Sequence, residues 1–599
     1  MLPTNNNYNY ALTTMMMKHF CISMIFAAIA GGAAFAQEPE LNKEITVDKD
    51  FVPVEQKATK SNILPEVYNP QVSKGAGKIG YSDWAVPVEV PATAATLPPY
   101  GYGTTHNATD NRGYFEFGIG TCLNMLGSAG YRVVDLDGTK MSIWLQHNST
   151  WTGENKSANS PFAIDQHWND NVIGVDFMHR FGKGDLSVNA FYHYDNFNYF
   201  GRMTDWWPAT DSTQSINEFR IDVGWTGPFK EKEGLNYSFH AIYNYFGFSK
   251  DVFDPVQGNS ENHLRLSLNG DYASSDVSHV GVDLDFDFVN YNIHHYITGA
   301  LGDSSSVGHE NLGVLSVMPY YAYHSNRISF KLGVNLDVSF NDGAVFRFAP
   351  HAEFRYDLLR GLQFYAEADG GKQVNTLSRM FSTNRYMSPR TLPINSYIPV
   401  DVVGGFKVGP FGGFNATIYG GWSKVVDAMM PTLVETPDPA NAANPVNTYN
   451  RSISQYAVHD MKGWRVGGEL AYAFRTIADA SVSLTYSPQE ENKGYILGDD
   501  RAELVLDTKV AFRPIKDLSI MVGYQYRSGR SLIYTSNSGQ WLKQDLQDVN
   551  FLMLGANYRL NDIVGFFLEF DNILNKRWDT HYGMGTQPIG IIGGVSLLF

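Results

Sequence analysis

Residues 328–340 read Ile328-Ser329-Phe330-Lys331-Leu332-Gly333-Val334-Asn335-Leu336-Asp337-Val338-Ser339-Phe340, an unbroken alternation of apolar and polar side chains. Successive side chains of a strand point to opposite faces, so this segment has one face for an apolar medium and one for water. The pattern recurs in Val280, Val282, Leu284, Phe286 and Phe288 against Gly281, Asp283, Asp285 and Asp287. It recurs again in Leu518, Ile520, Val522, Tyr524 and Tyr526 against Ser519, Met521, Gly523, Gln525 and Arg527. Such runs extend over about 10–14 residues, longer than the ~5–6 of a soluble strand and enough for the ~9–11 of a tilted strand crossing a bilayer.

Outward from that stretch, the alternation holds from about residue 112 to Phe599. Strand starts fall near residues 113, 127, 138, 171, 184, 216, 233, 261, 277, 311, 327, 344, 361, 397, 412, 462, 478, 501, 517, 547, 562 and 589. That is an all-β, transmembrane antiparallel β-barrel of about 22 strands, within the even-numbered range of bacterial barrels. The connections Ser325-Asn326-Arg327, Leu359-Arg360-Gly361, Arg475 to Asp479, Pro514 to Asp517 and Leu560-Asn561-Asp562 are tight. Those around 151–170, 291–310, 372–396, 425–461 and 530–546 are long and rich in Asn, Asp, Pro, Ser and Gly. Alternating sides strand by strand puts all these tight turns on one side and all these long loops on the other, with both ends of the barrel on the tight-turn side.

Composition agrees. Charged residues make up 18%, aromatics 14%, and there are 56 glycines, while the mean hydropathy is −0.24. Few charges without a continuous oily run suits strands that alternate in a lipid wall better than helices that span one. The only apolar stretch, Phe20 to Ala30, follows Lys18 and His19 and precedes Ala34-Phe35-Ala36. It reads as a secretory signal peptide, residues 1–36, with translation expected to start in the Met15-Met16-Met17 cluster and the mature chain at Gln37. Only Cys122 then remains, so no intramolecular disulfide is expected. A net charge of −16 argues against a general nucleic-acid binder.

Residues 37–111 carry Pro53, Pro65, Pro70, Pro87, Pro91, Pro98 and Pro99 and read as extended chain, periplasmic or inserted into the lumen. The sequence contains no Gly-x-Ser-x-Gly elbow, His-Glu-x-x-His or phosphate loop, so no enzyme, cofactor or metal is expected. His294 and His295, near the acidic face of Asp283, Asp285 and Asp287, read as a solvated pair, because neighbours on a strand point apart. Arg347, His351, Glu353, Arg355 and Asp357 share one face and form a lumen charge ladder, lining a solute path or pairing across strands. Trp206-Trp207 and the segment Met429 to Asp438 are candidate capture surfaces.

The segment Phe570-Asp571-Asn572-Ile573-Leu574-Asn575-Lys576-Arg577-Trp578 resembles the late "aromatic-x-Asn-Leu-x-Asn-Lys-x-aromatic" stretch of TonB-dependent receptors, and a glycine-containing last strand follows it. The resemblance covers residues 112–599. Gly594, Leu597 and Phe599 match the spacing of the terminal signal that barrel assembly machinery recognises, with Ile592 at its first, usually polar, position. Glu44-Ile45-Thr46-Val47-Asp48 resembles a TonB box, with Ile45, Thr46 and Val47 as the pairing residues, although an exported linker can hold such a triplet by chance.

Membership would imply solute uptake across the outer membrane of a Gram-negative bacterium, with lipid, assembly machinery and TonB or another periplasmic protein as partners. Residues 37–111 are a poor match for the folded plug of that family, whereas a barrel this wide needs something in its lumen. Residues 50–111, a partner protein or a long loop such as 425–461 are the candidates to fill it. The alternative function is a non-transporting scaffold for a periplasmic or surface partner.

Overall fold

The computed structural model describes residues 111–156, 163–199, 213–229, 233–250, 258–292, 311–434, 455–488, 491–492, 495–496, 501–535, 541–581 and 584–599. The signal peptide, the proline-dense segment 37–111 except its last residue, and the TonB-box-like Ile45, Thr46 and Val47 lie outside the described residues.

The barrel begins with β1 (Gly113–Gly120), β2 (Met125–Leu136), β3 (Thr139–Lys156), β4 (Ala163–Phe181), β5 (Gly184–Asn198), β6 (Thr213–Thr226) and β7 (Gly234–Phe248). It continues through β8 (Ser260–Ala273), β9 (Ser278–Asn292), β10 (Asn311–His324), β11 (Ile328–Phe340), β12 (Phe346–Leu359), β13 (Leu362–Gln373) and β14 (Ser396–Phe411). It ends with β15 (Phe414–Val434), β16 (Gln455–Phe474), β17 (Ala478–Tyr486), β18 (Leu504–Ile515), β19 (Leu518–Ser528), β20 (Val549–Arg559), β21 (Val564–Asp571) and β22 (Gly590–Leu598). Each pairs antiparallel with the next, and β1 pairs with β22 from Tyr114↔Leu598 to Gly120↔Ile592, which closes the ring. The connected sheet counts 24 strands because the hairpin Ser531–Thr535/Trp541–Asp545 joins it through a short parallel pairing to the end of β15. The wall itself has 22 strands.

Strand β11 shows why the ring is a membrane wall. Leu332 and Val334 are 53% and 42% exposed on its outer face, while Asp337 on the inner face is 2% exposed. Exposed Ile173, Leu268, Val280, Phe348, Ile418, Leu470 and Leu568 continue the same face around the barrel. An apolar belt this extensive exceeds what a soluble surface carries and is stable only against lipid. Rings such as Phe181 and Trp225, 5.6 Å apart, sit near the short-turn end of that belt, where an interfacial girdle lies.

The turns 137–138, 182–183, 325–327, 360–361, 412–413, 475–477 and 516–517 all fall at one end, the turn end. Two expected starts are late. β4 begins at Ala163 rather than 171, and β16 at Gln455 rather than 462. With β3 and β15 they form hairpins of 18 to 21 residues per strand, far beyond the ~9–11 needed to cross, so they project past the loop end. Past the crossing length the outer face leaves lipid while residues such as Met429 and Tyr456 pack inward, so apolar and polar types no longer alternate and much of 151–170 and 425–461 reads as loop in sequence. The connection 530–546 is likewise a hairpin.

Candidate functional site

The connection from β13 to β14 does not arch into solvent. Residues 374–395 fold back over the loop end of the lumen and carry a single short helix, α1 (Leu377–Thr383). Thr376 starts it, its hydroxyl accepting from Arg379 N at 3.1 Å. Leu377, Met380, Phe381, Tyr386 and Met387 are buried against Phe197, Tyr199, Ile216, Phe246, Phe248, Val289, Tyr291, Leu312 and Tyr456. Those partners come from β5 to β10 and from β16, on well-separated arcs of the wall, so the segment lies inside the ring. Phe381 packs between the rings of Phe197, Phe246 and Phe248, with centroids 5.4–5.9 Å away.

Polar contacts fix its position. Three tyrosine hydroxyls from different arcs donate to its carbonyls: Tyr199 to Met387 at 3.0 Å, Tyr291 to Asn375 at 3.2 Å and Tyr456 to Met380 at 3.3 Å. Glu261, fully buried on β8, accepts from the backbone N–H of Leu377 at 2.6 Å and of Ser378 at 2.9 Å. Ser378 Oγ donates to Glu218 on β6 at 2.6 Å. The guanidinium of Arg385 reaches Asp195 Oδ2 at 2.6 Å and Asp170 Oδ2 at 3.0 Å, and lies 4.7 Å over the ring of Trp168. Burial works against the charge on Arg385, but Asp195 and Asp170 outweigh it and hold its pKa above the ordinary value. Burial likewise pushes the Tyr386 hydroxyl up, so it is a neutral hydrogen-bonding group.

His193 lies between Asp170 and Glu218, 3.3 Å from each. Asp170, His193 and Asp195 offer three ligand atoms within 4.8 Å of one another, a donor set that suits a divalent ion. Arg385 already takes an oxygen of both carboxylates, so the position a metal would fill holds a guanidinium.

A second connection folds inward beside the first. Trp578 packs on Phe551, Val549 and Met553 of β20, and Arg530 donates to the carbonyls of Asp579 and Thr580, each at 2.9 Å. The nonapeptide from Phe570 to Trp578 builds this turn. Asn572 Nδ2 donates to the carbonyls of Lys576 and Gln587, its Oδ1 accepts from Lys576 N, and Asn575 Oδ1 accepts from Ile589 N. Asn572 and Asn575 have φ of 48° and 49°, a region asparagine tolerates better than most residues. Met584 of the same connection completes the cluster around α1.

The residues singled out in the sequence lie elsewhere. The ladder on β12 faces the lumen wall below this mouth and is paired. His351 is 3.0 Å from Asp369 and 3.6 Å from Glu353, Glu353 is 3.0 Å from Arg355, Asp357 accepts from Gln363 at 2.8 Å, and Arg347 lies over Tyr397. The acidic face of β9 is also satisfied: Lys331 pairs with Asp283, Arg265 with Asp285 and His263 with Asp287. Of the segment Met429 to Asp438, Met429 packs on the mouth cluster, its sulfur receiving Ile394 N, and the side chains of 431–438 lie outside the described residues. His294, His295 and Trp206-Trp207 are outside the described residues. Gly594 faces inward between Gly118 and Phe567, Leu597 faces outward, and the Phe599 carbonyl accepts from Arg112 N and Gly113 N at the seam.

Asp170, His193, Asp195, Glu218, Glu261 and Arg385 carry no motif. The available signal was the apolar content of 377–387, with Leu377, Met380, Phe381, Tyr386 and Met387 too oily for a loop in water.

The geometry defines a membrane-spanning barrel with two of its own connections folded inward across the loop end. Among solved structures, the chain is similar to the ferric enterobactin receptor of Pseudomonas aeruginosa at 11% identity, with a TM-score of 0.59, covering 82% of this chain and 81% of that one. It is similar to the FrpB iron transporter of Neisseria meningitidis at 12% identity, with a TM-score of 0.59 and 82% of each chain covered. FpvA of P. aeruginosa, bound to a heterologous pyoverdine, matches at 13% identity and a TM-score of 0.57 over 82% of this chain and 72% of that one. The first of these is a receptor and the second a transporter, and at such identities the likeness shows the fold alone, a large closed β-barrel. No family model and no curated protein sequence matches the chain.

Proposed function

We propose that the chain is an outer-membrane barrel that takes up a solute through its lumen, with the loop end outside and the tight turns in the periplasm of a Gram-negative cell. The observation that carries this reading is the folded-in mouth segment. A wide ring with a charged inner wall is crossed at one end by residues 374–395, which belong to the chain's own connection. A polar lumen with a docked segment across its mouth suits controlled passage better than passive filling. The receptor-like fold and the closing nonapeptide support the same reading.

Residues 37–111 are too short and too rich in proline to match the family's plug, and we assign them a makeshift periplasmic closure. Cleavage after Ala36, strand pairing of Ile45, Thr46 and Val47 with TonB, and recognition of Gly594, Leu597 and Phe599 by assembly machinery complete the proposal. The proline density of 37–111 also favours a second reading, a scaffold whose lumen a partner fills.

Single-channel conductance in planar bilayers tests both. Full-length protein should be closed, and removal of 37–111 together with replacement of 377–392 by a Gly-Ser linker should open a large stable pore. A doubly altered barrel that stays closed sinks the transport reading. A stoichiometric periplasmic protein co-purifying with the native barrel, with pore opening on its removal alone, supports the scaffold.

A further inference from the structure

Four carboxylates converge on the mouth from neighbouring strands: Asp170 of β4, Asp195 of β5, Glu218 of β6 and Glu261 of β8. The side-chain cations in contact with them are Arg385, brought by the folded-in segment, and His193 of the wall. Around them stand Trp168, Phe197, Phe246, Phe248 and Tyr291. The segment answers this wall feature by feature. Arg385 gives the charge, Phe381 fills the gap between the three Phe rings, and Tyr386 stacks edge-on to Phe197 at 5.7 Å.

We propose that this basin is a binding site for an organic cation with an aromatic body, and that Arg385, Phe381 and Tyr386 occupy it as a resident surrogate that such a ligand displaces. If the segment leaves alone, Asp195, now without solvent exposure, loses its closest counter-ion and keeps only the nearby His193, and five aromatic rings meet water. Both changes are unfavourable. A ligand bearing a guanidinium or ammonium next to an aromatic group reverses both, with Trp168 offering a face for the cation. An anion would meet four carboxylates and gains nothing, and a neutral solute leaves Asp195 without its closest counter-ion. The mouth therefore exchanges one cation for another, and its closed state is one of two occupied states.

This rests on the reading of the loop end as an accessible outer mouth. Binding is therefore measured on the full-length protein in detergent, where both ends are open and no transport is needed. A barrel that binds but never conducts would leave this inference standing while the transport reading falls. The probe is L-arginine β-naphthylamide, followed by naphthyl fluorescence anisotropy, with 2-naphthoate as the anionic control and heat-modifiable gel migration to establish that each variant is folded.

Arg385→Ala, which removes the resident cation, should bind the cationic probe at least tenfold more tightly than wild type, with Arg385→Lys in between. Adding Asp195→Asn to Arg385→Ala should cancel that gain. In unaltered protein, the cationic probe should speed amide hydrogen exchange across 377–387, and 2-naphthoate should not. Equal binding of the two probes, or unchanged exchange in the unaltered protein together with no gain in Arg385→Ala, overturns the proposal. The exchange arm stands even if the variants do not fold.

Discussion

Arg385 Nε lies 2.6 Å from Oδ2 of Asp195, a carboxylate with no solvent exposure, and this pair ties the connection after β13 to the opposite arc of the lumen wall. Asp195→Asn keeps the shape and removes the charge, leaving Arg385 with Asp170 alone. The contact is a buried ion pair, and with Asp170 still in place its loss should cost about 1.5–3 kcal/mol, below the roughly 3–5 kcal/mol of leaving a buried charge with no partner. The expected result is amide exchange over 377–387 faster on the order of 10- to 100-fold, with the strands of the wall unchanged. Uniform loss of protection across the whole barrel would instead mean that Asp195 supports the fold itself.

Phe381 makes the same distinction through packing. Its ring sits among Phe197, Phe246 and Phe248, all nearly inaccessible to solvent. Phe381→Ala leaves a cavity, and such truncations cost about 3–5 kcal/mol where the site cannot collapse. Here the cost falls on docking the segment. Conductance bursts should become frequent, while the midpoint of barrel heat-unfolding on gels moves little. A large fall in that midpoint would show that the mouth cluster is a folding core rather than a closure.

How much of this was legible in sequence depends on what each residue faces. Along β11 lipid and water stand on opposite sides, so Leu332 and Lys331 announce their faces by type alone, and the strand starts at 113, 184, 311 and 478 agree with the structure. At Trp151 the exposed side chain is apolar and its buried neighbours Thr150 and Thr152 are polar, whereas beside the exposed Val458 the buried, mouth-packed Tyr456 is apolar too, so residue type no longer reports which face is which. The mouth site was illegible for another reason. Asp170, Asp195, Glu218 and Glu261 look like ordinary lumen-facing acids, and only the folding back of Arg385, far along the chain, gathers them into one place. The ladder on β12 was found because its members are local, and His351, Glu353 and Arg355 pair with one another while Arg347 and Asp357 find partners on β14 and β13.

Asn572 separates backbone conformation from side-chain bonding in the closing nonapeptide. Asn572→Gly keeps the positive φ and loses three hydrogen bonds, each contributing about 0.5–1.5 kcal/mol net. Asn572→Ala adds backbone strain of order 1–3 kcal/mol. Alanine should therefore lower the urea midpoint, read by tryptophan fluorescence, more than glycine does. Equal effects would mean that only the side-chain bonds matter.

Gly594 was read from its spacing as part of an assembly signal, and the structure offers a competing physical reason for a glycine there. A Cβ on Gly594 would stand 2.2 Å from Cζ of Phe567 and 2.3 Å from the carbonyl oxygen of Phe117. The Phe567 ring therefore lies flat over the seam, using the space that Gly594 on β22 and Gly118 on β1 leave open. If packing decides, Gly594→Ala should reduce the amount of folded barrel in membranes, because the ring must turn away while the β1–β22 pairing holds the carbonyl in place. Shortening the ring should relieve the clash with Phe567 but not that with the Phe117 carbonyl, so Gly594→Ala with Phe567→Leu should recover part of the folded barrel relative to Gly594→Ala alone. If recognition by assembly machinery decides, the ring is irrelevant and the double variant should be no better than the single one. Heat-modifiable migration of membrane-extracted protein reads the outcome, and refolding the same variants into detergent without any machinery gives the control. A defect present in both settings belongs to the seam, whereas one confined to cells belongs to recognition.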